Sequence, residues 1–154
     1  MPGGYHFNNN TPLHFAFENK RISIETLKYL IEKKCDINSK NVDGATPFQS
    51  LFNATQITQE KINFIIEMKC DLKILISSRG DNLIHSVCKL ESVSLETLQF
   101  IIESKCDINL KNVSGDTPLH IACYREKYLK LLINNKANLN SQNKLGDTPV
   151  NFFF

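Results

Sequence analysis

Two His–Cys pairs hold the residues best suited to chemistry. His85 with Cys88 and His120 with Cys123 both read H-x-x-C. On a helix, positions i and i+3 share a face, so two such pairs on neighbouring helices could offer four nitrogen and sulfur ligands to zinc. The same pairs could set an imidazole beside a nucleophilic thiol. No third group is placed to orient either histidine, and no glycine-rich loop supplies an oxyanion hole. His14 stands in the same position with Phe17 three residues on, so the position works without a cysteine. The plainer reading makes each histidine a backbone-bonding residue and each cysteine a small buried substitute for alanine. The expectation is therefore no catalytic, metal or cofactor site, with a zinc or thiol site at His85/Cys88 and His120/Cys123 as the alternative.

Cys35, Cys70 and Cys106 form a second set, each followed by Asp and then an apolar residue. Equivalent points on stacked helices lie roughly 10 Å apart, beyond disulfide reach. These three are expected to be packing residues. No Walker-type or dinucleotide-type glycine pattern occurs.

The elements that must position these residues are repeated. The strings ending in Cys35, Cys70 and Cys106 recur at about 35 residues, and a fourth copy carries Ala137 in the same place. A second marker keeps step with the first. Thr11-Pro12-Leu13-His14 returns as Thr46-Pro47-Phe48-Gln49, Asn82-Leu83-Ile84-His85, Thr117-Pro118-Leu119-His120 and Thr148-Pro149-Val150-Asn151. Two markers in phase define one repeating unit. Each unit reads as two short helices and a turn. Thr-Pro starts the first helix, the Thr oxygen being expected to cap free N–H groups and Pro fitting the first turn. Ser23, Thr58 or Ser94 caps the second, with Glu25, Glu60 or Glu96 in its first turn. Gly44, Gly80, Gly115 and Gly146 close the connecting loops, where a positive φ is tolerable.

Gly115-Asp116-Thr117-Pro118-Leu119-His120-Ile121-Ala122-Cys123 closely resembles the ankyrin-repeat signature, and the resemblance spans residues 11–151. It implies an all-α solenoid of stacked helix-turn-helix units with hairpin fingers, organised as a single ankyrin-repeat domain over residues 1–154. The repeats fall at 11–45, 46–81, 82–116 and 117–147, with a partial repeat at 148–154. The first three units are two residues longer than the family norm between their helices, around Lys20–Ile24, Thr55–Ile57 and Leu90–Val93. The fourth is shorter and needs a tight turn. The three Phe that end the sequence are unlike the polar outer face of a terminal repeat. They either fold back over the last helices or belong to a longer array.

The resemblance also implies a protein-protein interaction module, a scaffold or adaptor that binds a partner protein through its concave face and finger tips. Carried over by position, the finger contacts are Lys40, Val42, Asp43 and Ala45; Ile76, Ser78, Arg79 and Asp81; Lys111, Val113, Ser114 and Asp116; and Gln142, Lys144, Leu145 and Asp147. On the first helices the matching residues are Glu18, Asn19, Asn53, Ala54, Lys89, Leu90, Tyr124 and Arg125. Arg79, Tyr124 and Arg125 are the preferred anchors by residue type. The second finger, Lys73-Ile74-Leu75-Ile76-Ser77-Ser78-Arg79, either exposes apolar residues as a contact or folds down to bury Ile74 and Ile76.

Composition narrows the partner. Eighteen basic residues against sixteen acidic ones, with no Trp, leave no strong footprint for nucleic acid. No apolar run approaches the roughly 20 residues of a membrane span. Five cysteines without a C-x-x-C pair fit a reducing compartment. The expectation is a cytoplasmic, intracellular monomer, not an enzyme, with no nucleic-acid, membrane or small-molecule partner. A regulatory fragment of a larger protein is the remaining alternative.

Overall fold

The computed structural model describes residues 9–19, 21–53, 59–68, 70, 72, 76–77, 79–90 and 93–153. Its helices come in pairs: α1 (Pro12–Glu18) with α2 (Ile24–Glu32), α3 (Pro47–Asn53) with α4 (Gln59–Glu67), α5 (Leu83–Lys89) with α6 (Leu95–Glu103), and α7 (Pro118–Ala122) with α8 (Glu126–Asn134). A 3-10 turn over Pro149–Phe153 ends the series. Among the described residues there is no strand, and no helix is long and apolar enough to cross a membrane.

The second helices start as their sequences dictate. The Ser23 and Ser94 hydroxyls each accept an N–H three residues on, from Thr26 and Thr97, at 3.2 Å. Glu25 and Glu96 lie in those first turns, and backbone hydrogen bonds hold both carboxyls below their usual pKa. The matching Thr58 lies outside the described residues. At the other end α2, α6 and α8 run into Lys34, Lys105 and Lys136, each left-handed with φ of 66°, 63° and 67°. Backbone bonds close these ends, such as Lys34 N–H to Ile31 O at 2.9 Å and Cys35 N–H to Leu30 O at 3.2 Å. Glycine is the usual residue at such a position.

The first helices start with a side-chain cap to which a histidine ring is added. At Thr11 the side chain forms a capping box with His14, and its hydroxyl also bonds the His14 ring at Nδ1, 2.9 Å away. The Thr11 N–H also donates to that nitrogen, at 3.0 Å. Nδ1 is therefore an acceptor, which leaves the ring proton on Nε2, 2.9 Å from the Ala45 carbonyl. His120 repeats this with Thr117 and the Asp147 carbonyl, while at His85 the Asn82 N–H donates to Nδ1, Nε2 reaches the Asp116 carbonyl, and Asn82 Oδ1 accepts the His85 N–H at 3.1 Å. One ring thus ties a helix start to the end of the following finger.

The chain divides into two compact units, one of residues 1–57 with 64–70, the other of 58–63 with 71–154. In the first, α1 packs on α3 and α2, burying Leu13, Phe17, Leu27 and Phe48, with the Phe17 and Phe64 rings 6.2 Å apart. In the second, α5 packs on α6 and α7, and α8 on α6 and α7, burying Leu83, Ile84, Val87, Leu98, Ile101, Leu119 and Leu132. The connections follow the expected lengths. Five residues separate α1 from α2 and α5 from α6, but only Cys123, Tyr124 and Arg125 separate α7 from α8.

Candidate partner-binding surface

The fingers are tight turns built on one side chain each. Asn41 Oδ1 accepts the N–H groups of Asp43 and Ala45, and Asn112 and Asn143 do the same for their own turns. Ser77 takes that role in the second finger, accepting from Arg79 and Asp81 at 3.2 Å. The spare Asn amides reach to neighbouring repeats: Asn41 to Asn10, Asn112 to Asp81 and Asn143 to Asp116, at 2.8, 2.9 and 2.9 Å. In the second unit the tips are also joined directly. Val113 N–H donates to Arg79 O at 2.8 Å, and Lys144 N–H to Ser114 O at 3.0 Å. Gly115 permits the second contact, because a Cβ there would stand 2.8 Å from Lys144 N.

The tips carry most of the expected finger contacts outward. Lys40, Val42, Asp43, Arg79, Lys111, Val113, Ser114, Gln142, Lys144 and Leu145 are all exposed, Val42 at 63%, Val113 at 52% and Leu145 at 85%. Ala45, Asp116 and Asp147 are half-buried. Ser78 and Ala54 lie outside the described residues, as do Ile74 and Leu75.

Three expectations need correction. Ile76 is 1% exposed and its N–H donates to Asp81 O at 2.8 Å, so it belongs to the core and not to the contact set. Asp81 is 2% exposed, ion-paired with Lys89 at 2.5 Å and bonded by Asn112. Burial works against its charge, but Lys89 and Asn112 outweigh that and hold its pKa below the usual value. Tyr124 and Arg125 are not on the first helix of their repeat. They form the turn after α7, at the opposite end of that helix from the finger, so they share no patch with Arg79.

The turn side has its own geometry. A groove of about 680 Å³ runs between Val93–Glu96 and Tyr124–Tyr128. Tyr124 stands at it, 79% exposed. Arg125 is half-buried; its Nη2 donates to the Lys89 carbonyl at 2.9 Å and its guanidinium lies 6.0 Å from the Tyr128 ring. Tyr128 donates its hydroxyl to Val93 O at 2.6 Å. Arg125 therefore joins two turns of the fold, while Leu90 is half-buried and Lys89 is engaged with Asp81. On the first helices of the other unit, Glu18 is exposed and accepts the Ser50 hydroxyl at 3.2 Å, and Asn19 is exposed at the end of α1; nothing is described of the Asn53 side chain.

The zinc or thiol alternative finds no support. Both ring nitrogens of His85 and of His120 are already bonded within the fold. Burial pushes the Cys88 thiol up to about 12 and the Cys123 thiol up to about 11, so neither is a thiolate near neutrality. Cys123 donates its S–H to Leu119 and Pro149 carbonyls. Among the described residues no group of three His, Cys, Asp or Glu could hold a metal. Cys70, Cys106 and Ala137 are buried as packing residues, whereas Cys35 is half-exposed.

No curated protein matches the sequence. Two family models do: one described as ankyrin repeats in three copies matches residues 83–152, and one described as a single ankyrin repeat matches residues 8–42. Together they cover well over half of the chain, and with the eight helices, tight fingers and ring-capped helix starts found among the described residues, they establish that this chain belongs to the ankyrin-repeat proteins.

Proposed function

We propose that the chain is a non-catalytic protein-binding module whose working surface is the row of finger tips in its second unit. Ankyrin repeats are generally protein-protein interaction modules, which gives the class of function. The observation that carries the choice of surface is the pair Val113 and Leu145. Both are exposed apolar side chains on tips whose backbones are already bonded to each other, so a partner could bury them without ordering a loop. Lys144 and Arg79 flank them.

Tyr124 beside the turn-side groove supports a second surface, because a large exposed aromatic at a concavity suits a binding anchor. One experiment separates the two. Partner recovery is compared for wild type, a Val113→Ser/Leu145→Ser variant and a Tyr124→Ala variant, all checked for unchanged melting. The finger variant is expected to lose recovery at least about tenfold and Tyr124→Ala to keep it. The reverse result moves the surface to the groove, and full recovery from both rules out the finger row.

A further inference from the structure

We propose that the tips of the second, third and fourth fingers take an extended, acidic segment of the partner protein, an inference that rests on the finger-row reading above. The turn segments 77–80, 112–115 and 143–146 contain no Asp or Glu, yet they carry Arg79 and Lys144, with Lys111 at the base of the third. All three cations are exposed. The carboxylates of the second and third fingers turn inward: Asp81 is buried against Lys89 and Asn112, and Asp116 accepts from the Asn143 amide. Among the described residues no carboxylate forms an ion pair with Arg79, Lys111 or Lys144. Lys111 is held over the neighbouring finger by a 2.7 Å bond from its Nζ to Gln142 O. The first finger differs, since its tip carries exposed Asp43 beside Val42, which offsets its basal cation Lys40, the counterpart of Lys111.

The spacing suits a peptide. Each finger is two chain segments wide, so at about 5 Å per segment the tips recur at about 10 Å. An extended peptide advances about 3.3 Å per residue, so an acidic residue at every third position meets each successive finger. Val113 and Leu145 lie among the cations and fit apolar residues between the acids. A protein segment is favoured over single-stranded nucleic acid because no aromatic side chain stands on these tips for a base to stack on.

The test uses the full chain and fluorescein-labelled peptides of about twelve residues, read by anisotropy. One peptide carries Glu at every third position among Leu and Ser, one carries Lys there, and one carries Ser; a thymidine oligonucleotide of about the same length is the fourth probe. The Glu peptide is expected to bind at least about tenfold more tightly than the Ser peptide, and to weaken as salt rises from about 50 to about 200 mM. An Arg79→Glu/Lys144→Glu variant should lose that advantage, while Lys127→Glu, an exposed charge on α8, should keep it. Equal binding of Glu and Ser peptides, both lost in Val113→Ser/Leu145→Ser, overturns the acidic partner but leaves the finger row standing. An oligonucleotide that binds as tightly as the Glu peptide overturns it in favour of nucleic acid. No binding by any probe overturns it as well.

Discussion

Repeats two and four begin alike, with Thr-Pro and a buried apolar residue, but Gln49 follows in one and His120 in the other. Around His120 every polar group is used: Nδ1 faces the Thr117 N–H and hydroxyl at 3.0 and 2.8 Å, and Nε2 reaches the Asp147 carbonyl at 3.1 Å. Around Gln49 the amide oxygen accepts the Thr46 N–H at 2.5 Å, but the buried Thr46 hydroxyl has no partner among the described residues. A ring offers two nitrogens pointing opposite ways at fixed separation, so one residue can serve two repeats. An amide oxygen likewise accepts at the helix start but leaves the preceding hydroxyl unmet, and a buried unmet hydroxyl costs about 1–3 kcal/mol.

The largest expected effect comes from exchanging those residues. His120→Gln should lower stability by about 1–2 kcal/mol, since a Gln oxygen can still take the Thr117 N–H as Gln49 takes that of Thr46 but the buried Thr117 hydroxyl loses its acceptor, while Gln49→His should raise it by about 1 kcal/mol by giving the Thr46 hydroxyl an acceptor. Urea denaturation midpoints measure both, and shifts of the same sign would sink the comparison. Smaller effects follow from deleting the hydroxyls. Thr46→Val should stabilise by about 1 kcal/mol and Thr117→Val destabilise by about 1 kcal/mol or more, because only the second hydroxyl is bonded. Equal losses would show that Thr46 is satisfied after all.

The smallest effect concerns pH. Burial lowers the His85 pKa from its ordinary 6.5, opposed by the Asp116 carbonyl and the Asp81 charge and aided by Lys89. The neutral ring is thus the folded form, so its contribution is full above about pH 6.5 and declines below it as the unfolded chain takes the proton first. A series of melting temperatures from pH 7.5 down to pH 5.5 should fall more steeply in wild type than in His85→Gln. Parallel curves would remove His85 from the account.

Much of this fold was legible in the residues. The 35-residue period, the paired helices, the Ser23 and Ser94 caps and the short fourth connection all follow from local spacing and local hydrogen bonding. The bond from each Thr hydroxyl to a His ring was not, because Thr11 and His14 each had several possible partners and only the folded geometry chooses among them. Tyr124 and Arg125 were misplaced for a related reason. The short fourth unit takes its missing residues partly from α7, five residues long against seven in α1, and this moves both side chains into the turn. The burial of Ile76 could have been read from its alternation with Ile74, but composition alone favoured neither face. The candidate surface was legible as exposed fingers, whereas the inward turn of Asp81 and Asp116, which leaves the cations unbalanced, depends on contacts about 31 and 27 residues away in sequence.

The three left-handed lysines have a consequence for cooperativity. A side chain in that conformation costs about 1–2 kcal/mol relative to right-handed backbone, and Lys34, Lys105 and Lys136 each carry it. In a stack of repeats the free energies add copy by copy, so the cost recurs within each copy that carries such a lysine instead of being diluted in a shared core. Each copy is thereby kept nearer its own threshold and depends more on its neighbours to stay folded. Such an array melts more nearly as one block than its local contacts alone would require.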